Sequence, residues 1–183
     1  MITVLLKAGA YVKAKNNIGW TPLLDAARYN RPSAITTALL EAGADIRARE
    51  TNGLTPLILA AAYNQDPEAI ITLLKAGADI KDRDTGFDMT VLMWAAKSNQ
   101  NPDVITALLK AGADAKAKNN IGWTPLMYAA SKNQNPDVII SLLKAGADAK
   151  AKDLRGKTAF DYAQLNEELK DTDAYRQLQR ASQ

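Results

Sequence analysis

Neither cysteine nor histidine occurs among the 183 residues of this chain. Their absence rules out disulfides, thiolate or imidazole metal ligands, and any nucleophile paired with a histidine base. A cysteine-free chain is also indifferent to redox state, so no compartment follows from it. No apolar run approaches the ~20 residues of a membrane-spanning helix. The opening Met1-Ile2-Thr3-Val4-Leu5-Leu6 is too short for a signal-peptide core and lacks a basic start. A soluble protein of unassigned compartment is the expectation. A dominant charge is missing as well: 23 basic and 20 acidic residues leave a net +3, too mild to name a partner. Phosphate-binding loops, metal-ligand clusters and nucleophile–base pairs are all wanting. No cofactor and no catalytic residue is expected, so the chain reads as a non-enzyme.

What the chain does have is self-similarity. Thr124-Pro125-Leu126-Met127-Tyr128-Ala129-Ala130 also occurs as Thr21-Pro22-Leu23-Leu24-Asp25-Ala26-Ala27 and as Thr55-Pro56-Leu57-Ile58-Leu59-Ala60-Ala61. Worn forms start at Thr90 and Thr158, and the threonines step by 34, 35, 34 and 34 residues. A period of that size is the mark of stacked repeats.

Each unit reads as hairpin, helix, loop, helix. Threonine supplies the cap oxygen of the first helix, and proline at the first helical position loses no bond. A polar loop follows, such as Tyr63-Asn64-Gln65-Asp66 or Lys132-Asn133-Gln134-Asn135. The second helix opens on Asp66-Pro67-Glu68, Asn101-Pro102-Asp103 or Asn135-Pro136-Asp137; in the first full unit the proline has slipped to Pro32, before Ser33. Gly43, Gly77, Gly112 and Gly146 end these helices where a left-handed backbone is needed, with Lys75, Lys110 and Lys144 in the last turns. The third connecting hairpin, Thr85 to Met89, holds one extra residue and should distort locally while leaving the flanking helices in register. Phe87 at its tip is either free for contact or a plug against a neighbouring hairpin. The closing unit turns polar at Gln164, Asn166, Glu167, Glu168 and Lys170, and Asp171-Thr172-Asp173 re-caps a last helix, as the wetted face of a terminal repeat requires. Residues 1–9 match only the second half of a unit. The N-terminus therefore reads as a cut and the C-terminus as an end, with end-to-end self-association through the open half-repeat as a further reading.

Gly-x-Thr-Pro-Leu-x-x-Ala-Ala followed by Leu-Leu-Lys-Ala-Gly-Ala-Asp resembles the signature of ankyrin repeats, over about residues 1–170. The resemblance implies an all-α solenoid of helix-turn-helix units with projecting β-hairpin loops, commonly a protein-binding scaffold. The units are a half-repeat (1–14), full repeats 15–48, 49–82, 83–117 and 118–151, and a C-terminal capping repeat 152–183, together one domain. Where the family commonly has histidine after Thr-Pro-Leu, this chain has Leu24, Ile58, Met93, Met127 and Asp161. Lys13, Arg47, Lys81, Lys116 and Lys150 replace the usual asparagine after the Gly-Ala-Asp turn, and each interhelical loop is one residue longer. The inter-repeat hydrogen bonds usual in the family are not expected in that form, whereas the stacking is. An eleven-residue stretch repeated verbatim at 108–118 and 142–152 suggests recent duplication or design, so the array is of bacterial or engineered type.

Two surfaces are candidates for a partner. By the resemblance, the residue before the paired alanines faces the concave wall, giving Asp25, Leu59, Trp94, Tyr128 and Tyr162, with Tyr29, Tyr63, Lys97 and Lys132 just beyond and Phe87 at the hairpin tip. Trp94 and Tyr128 are expected to be neighbours at its centre, with the lysines as a polar rim. Trp20 and Trp123 are expected only to cover their surroundings. The second surface is a basic ladder, Lys13/Lys15, Arg47/Arg49, Lys81/Arg83, Lys116/Lys118 and Lys150/Lys152, which takes ten of the 23 basic residues. It suits a polyanion or nucleic acid, but Asp45, Asp79, Asp114 and Asp148 partly neutralise it and no aromatics interleave with it to stack on bases. The expectation is recognition of another protein through the wall and hairpin tips. Nucleic acid is the disfavoured partner, and a scaffold without a natural partner is the remaining alternative.

Overall fold

A computed structural model describes residues 11–29 and 32–183. Residues 1–10 of the half-repeat, with its open end, lie outside the described residues. Ten α-helices occur among the described residues: α1 (Pro22–Arg28), α2 (Ser33–Glu41), α3 (Pro56–Tyr63), α4 (Pro67–Lys75), α5 (Val91–Ser98), α6 (Pro102–Lys110), α7 (Pro125–Lys132), α8 (Pro136–Lys144), α9 (Ala159–Ala163) and α10 (Asp173–Ala181). They pack in two layers. The odd-numbered helices form an inner row, each touching the next, and the even-numbered helices form an outer row behind it.

The caps are those the local chemistry dictates. Thr21, Thr55, Thr90, Thr124 and Thr158 each accept a hydrogen bond from the backbone N–H three residues on. Asp66, Asn101 and Asn135 cap the outer helices, and Ser33 opens α2 with no side-chain cap because the residue before it is Pro32. Gly43, Gly77, Gly112 and Gly146 all take φ between 81° and 94°, which ends the outer helices by a left-handed turn.

The inner helices α3, α5 and α7 are largely apolar, because each has an inner helix on both sides and an outer helix behind. In α3 every residue from Pro56 to Ala62 is buried. Such stacking leaves the last carbonyls of each inner helix far from water. Those of α3, α5 and α7 are satisfied by an asparagine of the following repeat. The Nδ2 of Asn99 donates to Ala61 O (2.9 Å) and Asn64 O (2.8 Å), that of Asn133 to Ala96 O and Asn99 O (both 2.8 Å), and that of Asn166 to Ala130 O (3.1 Å) and Asn133 O (3.0 Å). Their Oδ1 atoms meanwhile accept from the N–H two residues on, which fixes the loop to the outer helix. Asn64, Asn99 and Asn133 are fully buried. A second amide row runs beside them, with Asn101 donating to Gln65 O and Asn135 to Gln100 O, both at 2.7 Å.

The connecting hairpins are tight turns rather than strands. Each closes on a backbone bond, from Glu50 N to Leu54 O, Asn119 N to Trp123 O or Asp153 N to Lys157 O, with a second from the turn glycine back to the same head, and the described residues contain only an isolated bridge between Arg83 and Thr90. The third turn absorbs its extra residue by closing one position later, from Asp84 N to Met89 O, with Asp88 at φ 59°. Successive turns are tied tip to tip, Thr85 N to Asn52 O, Asn120 N to Phe87 O and Leu154 N to Ile121 O. Gly53 is required there: its φ is 80°, and a Cβ would stand 2.9 Å from Thr85 N. At the C-terminus α9 ends at Ala163, and a 3-10 turn, Glu167–Leu169, capped by Asn166, follows. Asp171 at φ 64° and a Thr172 cap then start α10, which covers α8 and α9.

Asn133→Ala should cost about 3 kcal/mol in urea unfolding, since it strands two buried carbonyls and frees a loop N–H. Gln134→Ala, one residue away and exposed, should cost less than about 0.5 kcal/mol. Equal effects would mean that the asparagine row carries no special share of the stability.

Candidate interaction surface

The turn residue preceding each inner helix organises the face above it. Glu50, Asp84, Asn119 and Asp153 are all buried, and each spends one side-chain oxygen on backbone N–H groups of its own turn. In three repeats the other atom of that head holds an aromatic. Asp84 Oδ2 accepts from Trp94 Nε1 (2.8 Å), Asn119 Nδ2 donates to Tyr128 Oη (3.0 Å), and Asp153 Oδ2 accepts from both Tyr162 Oη (2.5 Å) and Trp123 Nε1 (3.1 Å). Trp123 lies between two tyrosines, 4.8 Å from the ring of Tyr128 and 4.5 Å from that of Tyr162.

This corrects the wall expected from the sequence. Leu59 is wholly buried and Tyr128 is 6% exposed, so neither faces outward. Burial, reinforced by the nearby Asp84 charge and opposed by the Asn119 hydrogen bond, pushes the Tyr128 hydroxyl up to about 12. Trp94 and Tyr162 are partly exposed but act as struts tied to turn carboxylates. The physical reason is the turn layer: it lies over the start of each inner helix and covers the position that a lone helix would present to water. Trp20 and Trp123 are half-buried against the core, as expected of covering residues.

The bare part of the face is displaced to the C-terminal ends of the inner helices. Tyr29 is 59% exposed and Tyr63 36%, and the guanidinium of Arg28 sits between them and Trp20, 4.8 Å from the ring centre of Tyr63 and 5.6 Å from each of the others. One repeat on, the position of Arg28 is held by the buried Ala62. Farther along, Lys97 Nζ lies 4.8 Å above the ring of Trp94. Asp25 and Lys132 are exposed on the same helices. Phe87 stands free at its tip, 57% exposed.

The basic ladder divides in two. Its second column is structural: Arg49 donates to Arg83 O, Arg83 to Lys118 O, and Lys118 to Lys152 O, each one repeat on. Arg49 also pairs with Asp82, and Arg83 with Asp88. In the first column Arg47, Lys81, Lys116 and Lys150 remain exposed, while Asp45, Asp79, Asp114 and Asp148 cap their own turns. A shallow cleft of about 300 Å³ opens beside Lys81 and Arg83, floored by Leu92 and Ala113.

A family model described as "Ankyrin repeats (3 copies)" matches residues 1–84, 61–153 and 92–174. The chain belongs to the ankyrin repeat family. Such repeats are generally protein–protein interaction modules, typically non-catalytic. None of the curated proteins compared with the chain matches it. No helix among the described residues of this ankyrin array is long and apolar enough to cross a membrane.

Sequence reasoning passed over two features of the array. The buried asparagines look like ordinary loop residues in the sequence, and their 34- to 35-residue recurrence at 64, 99 and 133 is the signal that sets them apart. Arg28 as the centre of an aromatic group had no signal, because Trp20, Tyr29 and Tyr63 come from three segments.

At Asp153, burial opposes ionisation, but hydrogen bonds from Tyr162, the Lys157 and Arg155 backbones and Trp123 outweigh it and hold the carboxyl below its ordinary 3.8. Its stabilising share is thus complete above that value and is lost as the pH falls below it through the lowered folded value. Thermal melts of Asp153→Asn should show lower stability at neutral pH by roughly 1–3 kcal/mol and a flatter decline on acidification than the wild type. Parallel acid declines would mean that the carboxylate is not held as described.

Proposed function

We propose that this array recognises another protein, without catalysis, through the C-terminal ends of its inner helices. Tyr29 and Tyr63 are the anchors, grouped around Arg28, with the Trp94–Lys97 pair next along the face. The supporting observation is three rings gathered about one guanidinium, two of them still open to solvent. Tyrosine, tryptophan and arginine are the residues that dominate binding hot spots, because they offer large rigid contact area at little entropic cost. Asp25, Lys132 and the Phe87 tip then form a margin. The rival use of the basic ladder for polyanions is weakened by the engagement of Arg49, Arg83 and Lys118 with neighbouring turns.

Partners captured on the immobilised wild-type chain should be lost from Tyr29→Ala/Tyr63→Ala, with affinity down by about 2 kcal/mol or more, roughly 30-fold. Both rings are surface groups, so the variant should melt with the wild type. Binding that survives the double variant but disappears in Lys116→Ala/Lys150→Ala, and that weakens steeply with salt, would transfer the function to the turn edge.

A further inference from the structure

The same face also carries unbalanced charge. Five cations among the described residues are ion-paired: Arg49 with Asp82, Arg83 with Asp88, Lys157 with Asp161, Lys170 with Glu167 and Arg176 with Asp173. Arg28 is not. Among the described residues it has no carboxylate and no hydrogen-bond acceptor, only the three rings that hold its guanidinium in place. Lys97 rests on Trp94 in the same way, and Lys132 is exposed on α7. The turn carboxylates that hold aromatics of the inner helices are already committed: Asp84 to three turn N–H groups and Trp94, Asp153 to its turn, Trp123 and Tyr162. Only Asp25 stands exposed on the inner helices against the three cations.

Resting on the inner-face reading, we infer that the partner presents an acidic segment, with one carboxylate bound by Arg28 between Tyr29 and Tyr63 and another by Lys97. Aromatic contact immobilises both cations before binding and lowers their hydration, while leaving the planar guanidinium fork free for a bidentate carboxylate. The spacing suits an extended chain. Arg28 and Lys97 are two repeats apart, about 20 Å at the 8–10 Å separation of packed helices, and a strand rising ~3.3 Å per residue covers that in about six residues. Side chains between the two acids would lie over Tyr63 and the Trp94 ring. A nucleic-acid backbone places a charge every few ångströms and would leave most of them unmet on so sparse a row.

The test uses the whole chain and a fluorescein-labelled peptide of alternating serine and tyrosine, with glutamates about six residues apart, beside its glutamine counterpart. In fluorescence anisotropy at low salt the glutamate peptide should bind at least about tenfold tighter. Arg28→Gln and Lys97→Ala should each remove most of that preference, while Lys116→Ala on the turn edge leaves it intact. Arg28→Gln keeps length and polarity, and circular dichroism checks its fold; Lys97→Ala tests the face independently. Equal affinity for the two peptides, no binding of the glutamate peptide, or a loss that follows Lys116→Ala would overturn the inference. If both peptides bind equally and Tyr29→Ala/Tyr63→Ala abolishes that binding, the recognition face stands and only its acidic preference falls.

Discussion

Where two inner helices meet, the last carbonyls of one are sealed by the side of the next, and a carbonyl sealed without a donor costs about as much as a lost hydrogen bond. Asn99, Asn133 and Asn166 supply both of their amide hydrogens to that place and turn their oxygens back to their own loops. A carboxamide is well suited to this, since it is short, uncharged and carries two donors and an acceptor on one planar head. The requirement also sets the distance between repeats: a helix that slid along its neighbour would break two bonds at once. With the helix ends pinned, the turns line up, and the cations of one turn can reach the carbonyl of the next. Among the described residues the ladder is weakest at Asn64, whose buried Nδ2 meets no acceptor.

The turn heads extend the same economy to the face. Glu50, Asp84, Asn119 and Asp153 close their turns with one atom, so the other is available at the foot of the following helix. Where a donor or acceptor ring stands there, it is captured, and the aromatic becomes part of the scaffold. Where the foot is Leu59, Glu50 instead turns to Thr51 and Asn52. The rings at the start of the inner helices are therefore held in the scaffold, and the exposed rings of Tyr29 and Tyr63 stand at the helix ends, beyond the reach of the turn layer.

Elements fixed by short-range chemistry were legible in the sequence. The Thr-Pro and Asn-Pro starts, the glycine stops and the position of the inserted residue depend on neighbours within five residues, and a pattern read along the chain contains them. Leu59 and Tyr128 misled because helical periodicity distinguishes one buried face from one exposed face, whereas these helices have neighbours on nearly every side. Asn64, Asn99 and Asn133 misled for the opposite reason. A polar residue in a loop is ordinarily wet, and only the stacking of a second repeat removes the water. The Arg28 group was beyond reading, since its geometry depends on which ring of the next repeat stands within a side chain's length.

A comparison within the molecule explains why the open face lies toward the N-terminus. Trp20 and Trp123 end the same phrase, Asn-Asn-Ile-Gly-Trp, and occupy the same place in their turns. Trp123 finds Tyr128 in its own repeat and Tyr162 in the next, and the three rings interlock. For Trp20 the corresponding residues are Asp25 and Leu59. One is a carboxylate that belongs in water and the other a buried aliphatic chain without a ring face to offer. Among the described residues no aromatic closes over Trp20, so its ring is left to Arg28, whose guanidinium also meets Tyr29 and Tyr63. Two substitutions at one repeat position thus separate a sealed aromatic cluster from a half-buried cation ringed by exposed tyrosines.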